Sequence, residues 1–280
     1  MAWTGSLQLD YRSEPLRGQP RTIVHDRHDG PLRVLASLYP EAPGVCHNVL
    51  VHPPGGLVGG DRLDIGVNVG EAAHALITTP GATRFYRSAG EAALQAVDVR
   101  VARGARLEWL PLETIVHSGA LADNRLRFAL APGAEMIGWD VLALGLPAAG
   151  EHFDLGCCTQ RLELPGIWLE RARLAAADRQ LFDSPLGWHG RTVLATLWFA
   201  AGPPIAAALR DALLAEARSS AAASSLASHA GASAPHAEAV VLRVLAARVE
   251  PAMALLVQIR ARWRALAWAL APSPPRVWQT

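Results

Sequence analysis

The sequence predicts a mainly β protein, a single body of stacked β-sheet layers with two helices in the C-terminal third. Two observations support this fold class. From about residue 7 to residue 200, apolar residues alternate with a period of two, which is typical of strands that bury one face. No helical stretch long enough for a βαβ crossover interrupts this region, so a sheet of the Rossmann type is disfavoured.

The strand segments are separated by glycine turns of a recurring kind. The clearest strand segments are 63–69, 97–101, 126–130 and 167–174. The turns are VGEA (69–72), RGAR (103–106) and PGAE (132–135), whose glycines are 34 and 29 residues apart. This approximate repeat indicates stacked layers of strands.

The composition changes after residue 202. We predict one domain over residues 1–280, in which residues 1–202 form the β-rich body. Residues 203–239 begin as a helix and continue as an Ala/Ser-rich segment with few apolar anchors, which predicts mobility. Residues 240–280 are predicted to form a strand followed by an amphipathic helix.

The amphipathic helix is predicted from the spacing of its apolar residues. Five of them follow steps of 4, 4, 3 and 4: Leu255, Ile259, Trp263, Leu266 and Leu270. Pro251 suits the first turn, where its missing N–H is not needed. Because Trp and Arg are enriched at the centres of interfaces, Arg260, Trp263 and Arg264 are candidates for partner binding, the alternative being a core helix with a solvated face.

Composition excludes several functional classes. All 26 basic residues are arginine, so no phosphate-loop lysine, kinase lysine or Schiff-base lysine is present. Against 25 acidic residues the formal net charge is +1, too small for the electrostatic footprint of a nucleic-acid binder.

The sequence also predicts a cytoplasmic protein. Its first residues lack a basic stretch followed by an apolar one, as a secretion signal requires. The longest apolar tract, 193–209, is broken by Gly202, Pro203 and Pro204 and is shorter than the ~20 residues of a membrane helix. Three cysteines, two of them adjacent, do not suit a disulfide framework.

Residues 52–63, HPPGGLVGGDRL, form the most unusual segment. The glycine spacing fits neither a Walker phosphate loop nor a dinucleotide-binding loop. Glycine pairs allow positive φ and close approach of main chains, so this segment is predicted to be a rigid structural turn. Its members are Pro53, Pro54, Gly55, Gly56, Gly59 and Gly60. The turn holds Asp61 in place, and the simplest role for Asp61 is to cap the turn.

Three further acids lie within apolar sequence: Glu113, Asp140 and Glu170. An isolated buried charge is costly, so each acid is either paired internally or exposed to a wet interior. Arg87, Arg171 and Arg173 are possible partners. A catalytic set such as Ser88, His117 and Asp140 can be assembled, but no nucleophile elbow G-x-S-x-G accompanies it.

Several long motifs in order make the chain resemble the UreD family of urease accessory proteins, called UreH in some organisms. The resemblance extends from GPLRV (30–34) to near LLVQIRARWR (255–264). The motifs that carry it are HPPGGLVGGDRL (52–63), HALITTPGATRFYRSAG (74–90), LEWLPLETIVHSGA (107–120) and LFDSPLGWHGRT (181–192).

The resemblance implies a mostly β, β-helix-like body with two helices. It also implies a non-enzymatic chaperone that binds the urease apoprotein and UreF, and through UreF the GTPase UreG, so that nickel reaches the urease active site. It implies transient nickel on an internal path rather than a tightly bound cofactor, with no defined set of metal ligands. Asp61, Glu113, Asp140 and Glu170 are then the candidate carboxylates of that path, because exchangeable oxygen ligands suit delivery. The alternatives are a β domain that binds a small ligand or sugar, and a hydrolase.

Overall fold

A computed structural model describes residues 2–279, so the first and last residues of the predicted domain lie outside the described part. The strands of this part are β1 (Thr4–Leu16), β2 (Gln19–Asp29), β3 (Arg33–Val34), β4 (Val45–Val51), β5 (Arg62–Val69), β6 (His74–Thr78), β7 (Thr83–Phe85), β8 (Ala93–Val101), β9 (Arg106–Leu110), β10 (Thr114–Val116), β11 (Leu121–Leu130), β12 (Glu135–Leu144), β13 (Cys157–Leu164), β14 (Trp168–Ala175), β15 (Val193–Ala201), β16 (Ala230–His236) and β17 (Ala239–Ala246). The α-helices are α1 (Arg179–Asp183), α2 (Ala207–Ala223) and α3 (Val249–Trp268). The mainly β prediction is confirmed.

The strands form two sheets that the chain visits alternately. The first sheet has the order β14-β13-β11-β8-β5-β1-β2, and the second has the order β16-β17-β15-β12-β9-β6-β4-β3. Between β4 and β13, each coil of the chain adds one strand to each sheet. The new strand runs parallel to the strand that the preceding coil added to the same sheet. The strand in the opposite sheet therefore takes the place of the crossover helix that parallel pairing usually requires.

The recurring glycine turns stack at one corner of this β-helix-like body. Gly70, Gly104 and Gly133 lie between β5 and β6, β8 and β9, and β11 and β12. Gly104 and Gly133 have φ values of 64° and 81°, which favour glycine. The approximate repeat in the sequence therefore corresponds to successive coils.

Two hydrophobic cores follow from the strand pattern. The first lies between the sheets and contains alternate residues of neighbouring strands, such as Val67, Val99 and Phe128. The second lies between the second sheet and the helices α2 and α3, where Leu255 and Trp263 are buried. The second sheet is covered on both faces, which explains the nearly continuous apolar sequence of β12 and β15.

The C-terminal third contains the two predicted long helices, α2 and α3, and a short helix that was not predicted, α1, lies just before it. In α3, Leu266 departs from the predicted apolar face, because its side chain is 46% exposed. None of the helices in residues 2–279 is long and apolar enough to cross a membrane.

The Ala/Ser-rich segment differs from the prediction of mobility. Its second half forms β16, which pairs antiparallel with β17 at the edge of the second sheet. Ala230, Ala232 and Ala234 pack against the second core. Backbone hydrogen bonds and small side chains therefore order a segment that has few large apolar residues.

Candidate functional site

The loop of residues 52–63 is built as its glycines predict. Gly55 and Gly60 have φ values of 80° and 88°. A Cβ atom on Gly56 would lie 2.9 Å from the Arg84 carbonyl oxygen, and one on Gly59 would lie 2.7 Å from the Glu91 carbonyl oxygen. Two glycines therefore supply unusual backbone conformations, and two allow close contact with the neighbouring chain.

We expect Gly59→Ala to lower the free energy of unfolding by about 1–3 kcal/mol, because the added methyl group overlaps a backbone oxygen that cannot easily move. The measurement is urea denaturation of the full chain. Gly81→Ala is the matched control, because Gly81 has no positive φ and a Cβ atom added to it would meet no heavy atom within 4 Å. Equal effects of the two substitutions would contradict the packing role of Gly59.

Asp61 lies at the end of this loop and is fully buried. Its Oδ1 accepts a hydrogen bond from the Trp3 backbone N–H at 3.2 Å, and its Oδ2 accepts one from the Val58 N–H at 2.9 Å. Both carboxylate oxygens are thus used by the backbone. This geometry favours the capping role over that of a free ligand on a path.

A cavity of about 340 Å³ lies beside the loop, between the two sheets. Its wall is mostly apolar and includes His52, Gly55, Gly56, Trp109 and Asp140. Burial lowers the pKa of His52, although the nearby Asp61 carboxylate acts in the opposite direction. The cavity is large enough for a small molecule or hydrated ion, and Asp140 is the carboxylate in its wall.

Asp140 is a buried residue of β12 whose side chain points into the space between the sheets. The amide Nε2 of Gln160, on β13 of the opposite sheet, donates a hydrogen bond to Asp140 Oδ2. Burial raises the pKa of Asp140 to about 7; the Gln160 hydrogen bond opposes this shift and the Glu170 carboxylate adds to it. Asp140 is therefore an acid that changes charge near neutral pH.

Glu170 is the second acid of this group. Burial raises its pKa, and the positive charge of Arg243 partly opposes the increase. The Nη2 atom of Arg243, on β17, donates a hydrogen bond to Glu170 Oε2. The partner of this acid is thus Arg243, rather than Arg87, Arg171 or Arg173, which the sequence suggested.

Glu113 lies apart from these acids. It is half-buried just before β10, and its backbone carbonyl accepts a hydrogen bond from Thr83 N–H at 2.9 Å. Of the four candidate carboxylates, only Asp140 is in the cavity wall, and the negative charge of Glu170 raises its pKa. Asp61 caps the loop beside the cavity.

A second charged group lies between the second sheet and α3. Glu108 on β9 is fully buried and binds Arg260 at 2.6 Å and Arg264 at 2.8 Å, with His74 Nε2 at 3.1 Å. Burial by itself would raise the pKa of Glu108, but Arg260, His74 and Arg264 together lower it to about 2. We call Glu41, His47, His74, Glu108, Arg260 and Arg264 the Glu108 cluster.

The predicted partner-binding role of Arg260, Trp263 and Arg264 requires exposed side chains, and the structure buries all three. Arg260 and Arg264 are buried in the Glu108 cluster, and Arg264 also binds Glu41, which in turn contacts His47 at 2.8 Å. Trp263 is buried as well, with its Nε1 donating to the Leu213 carbonyl oxygen at 2.9 Å. Side chains in the interior cannot contact a partner of the folded chain.

Sequence reasoning missed Glu108, Gln160 and Arg243. The neighbours of Gln160 at a distance of two residues are apolar, so period-two parity could have placed Gln160 in the interior. Glu108 gives no such signal, because one of its two neighbours is Arg106. The neighbouring sequence does not reveal which residues these side chains bind, because their partners lie far away in the chain.

The possible hydrolase residues belong to separate networks. Ser88 Oγ donates to the Glu91 carbonyl oxygen, His117 Nδ1 lies 3.0 Å from Glu151, and Asp140 binds Gln160. Over residues 2–279, no group of three or more His, Cys, Asp or Glu side chains is arranged to hold a metal ion.

Comparison with known proteins gives one consistent result. The family described as "UreD urease accessory protein" matches residues 4–279. Proteins named "Urease accessory protein UreD" are similar over the full length of both chains: 61% identity for Leptothrix cholodnii, 59% for Methylibium petroleiphilum and 58% for Variovorax paradoxus.

Proposed function

Because the chain belongs to the UreD family of urease accessory proteins, we propose that it is a non-catalytic scaffold for urease maturation in the cytoplasm. In this proposal it binds the urease apoprotein and UreF, reaches UreG through UreF, and gives nickel a route toward the urease active site. Nickel is the cargo and binds only transiently.

One observation carries the proposed nickel route. Asp140 lies in the wall of the cavity between the two sheets, and its charge interacts with that of Glu170. Nickel accepts carboxylate and amide oxygens, and a route needs ligands that release the ion again. Two carboxylates and the Gln160 amide would supply such weak ligands, whereas Asp61, whose oxygens accept backbone N–H groups, is less suited.

The proposal is tested by co-expression with a urease operon that lacks its own copy of this gene. We expect the full chain to restore urease activity and nickel content, and to co-purify with urease apoprotein and UreF. Urease that stays without nickel in the presence of soluble, full-length chain would refute the proposed function.

Partner binding requires an exposed surface, and the loop after α1 offers one. Leu186 is 98% exposed at the tip of a turn in which Gly187 N–H donates to the Ser184 carbonyl oxygen at 2.9 Å. Below it Trp188 is buried, and its backbone N–H donates to the Leu181 carbonyl oxygen at 2.9 Å. A rigid loop therefore presents a fully exposed apolar side chain, which suits insertion into a partner's pocket.

We expect Leu186→Ser to lower the affinity for urease apoprotein or UreF by about tenfold, because burial of a leucine stabilises a complex by about 1.5–3 kcal/mol. Co-purification of the partner should decrease accordingly. The thermal stability of the free chain should not change, since the side chain makes little contact within it. Leu266→Ser on α3, where leucine is 46% exposed, is the comparison. Undiminished binding of both partners to the Leu186 variant would exclude the loop from both interfaces.

A further inference from the structure

Arg243 forms an ion pair that joins the two sheets. It is on β17 of the second sheet, and it binds Glu170 on β14, the last strand of the first sheet. Its guanidinium carbon also lies 5.9 Å from the centre of the Trp168 ring, within cation-π range. The Arg243 side chain is 49% exposed, whereas that of Glu170 is 18% exposed. The arginine thus covers the acid from the solvent side.

The two sides of this ion pair differ in character. On the outer side, Arg243 and Trp168 line a surface cavity of about 250 Å³ together with Gly231, Ser233 and Pro235 of β16. On the inner side, Glu170 shares the face of β14 that carries the buried Leu174, and its negative charge raises the pKa of Asp140 in the wall of the cavity between the sheets. Arg243 therefore separates the acids of the interior from a surface cavity.

We propose that Arg243 is a latch on Glu170, which closes the surface side of the Asp140 and Glu170 pair and must move aside before a divalent cation can bind there. This inference rests on the proposed nickel route and names the residue that controls it. The latch is a positioning residue, because it acts on a cation through the carboxylate that it releases.

The geometry makes the movement feasible. One guanidinium nitrogen of Arg243 holds the carboxylate, and half of its side chain already contacts solvent, so the released guanidinium can be hydrated in the surface cavity. A divalent cation at Glu170 would lie beside the guanidinium that already binds Glu170 Oε2, and two positive charges at such a short distance repel each other. Arginine and metal should therefore compete.

Neighbouring arginines provide an internal comparison. Arg171 and Arg173 are exposed residues of β14 at positions that alternate with Glu170, so their side chains point to the outer face of the first sheet. Neither has an ion-pair partner in the described part of the chain. Their removal changes the net charge by the same amount as removal of Arg243 and leaves Glu170 latched.

The test is a titration of the full-length chain with Ni²⁺ alone, by calorimetry and by thermal shift. We expect Arg243→Gln to bind Ni²⁺ at least about tenfold more tightly than the unmodified chain and to gain a Ni²⁺-dependent increase in melting temperature. Arg173→Gln should match the unmodified chain. The double variant Arg243→Gln with Glu170→Gln should lose the gain, because the released carboxylate is absent.

Three results would overturn the latch: no gain in Arg243→Gln, an equal gain in Arg173→Gln, or a gain that persists in the double variant. If Arg243→Gln does not fold, Arg243→Met removes the positive charge while keeping an unbranched side chain and should give a gain in the same direction, with no gain again excluding the latch. Failure of the unmodified chain to restore urease would refute the proposed function, while the titration would still decide whether Arg243 competes with the metal.

Discussion

Glu108→Gln should lower the free energy of unfolding by about 3–5 kcal/mol, since it leaves two buried guanidinium groups without the carboxylate between them. Arg260 and Arg264 contact Glu108 at 2.6 and 2.8 Å, and all three side chains are fully buried. Glutamine keeps the size and one acceptor oxygen but no charge. The remaining carboxylate of the cluster, Glu41, contacts Arg264, so Arg260 loses most of its compensation.

Urea denaturation, followed by tryptophan fluorescence, measures this effect. The matched control is Glu250→Gln, which removes the carboxylate of an ion pair with Arg248 whose side chains are 68% and 72% exposed. Such a surface pair is worth about 0–1 kcal/mol. A loss for Glu108→Gln no larger than for the control would show that the cluster does not stabilise the fold.

The Glu108 cluster also predicts a response to acid. The pKa of Glu108 is depressed from its ordinary value of 4.5 to about 2, so the folded chain releases this proton more readily than the unfolded chain. The resulting stability is fully present above pH 4.5 and is lost as the pH falls toward 2. The difference between the unmodified chain and Glu108→Gln should therefore shrink over that range.

The β-helix-like fold could be predicted because each coil repeats the same physical problem. One face of each strand in the first sheet must be buried, which produces the period of two, and each corner needs a tight turn, which produces Gly104 and Gly133. The strand β16 could not be predicted in this way. Its residues are mostly small, with no large apolar side chain, and it is fixed by backbone hydrogen bonds to β17, which its own composition does not encode.

The site was only partly predictable for a related reason. The acids embedded in apolar sequence indicated that Asp140 and Glu170 needed compensation, but not from which residue. Glu170 binds Arg243, 73 residues away, and Glu108 binds Arg260, 152 residues away. Pairing at such separations is set by the order of strands and helices, so the arginines of α3 resembled surface residues until the fold placed them opposite a buried acid.

Asp140 gives the second large effect, in which stability and function should change in opposite directions. Its pKa is raised from 3.8 to about 7, chiefly by burial, with Glu170 adding to the shift. The folded chain therefore binds this proton more tightly than the unfolded chain, and stability falls as the pH rises from about 4 to 7. Above pH 7 the charged Asp140 costs on the order of a few kcal/mol.

Asp140→Asn should therefore raise the free energy of unfolding at pH 8 by a few kcal/mol, because asparagine is uncharged and its oxygen can still accept the Gln160 hydrogen bond. At pH 4 the two proteins should be equally stable. In cells with limiting nickel, the variant should still assemble with urease, yet the recovered urease should contain several-fold less nickel and show proportionately less activity.

Glu113→Gln is the matched control, since Glu113 is an acid in apolar sequence that lies outside the cavity wall, and it should change neither quantity. If Asp140 had only a structural, stabilising role, its replacement would lower the free energy of unfolding and leave the nickel content of urease unchanged. A gain in stability with a loss of nickel would instead mean that the chain keeps a destabilising buried carboxylate because the cation needs it there. The two readouts from one substitution therefore separate a structural acid from an acid on the route.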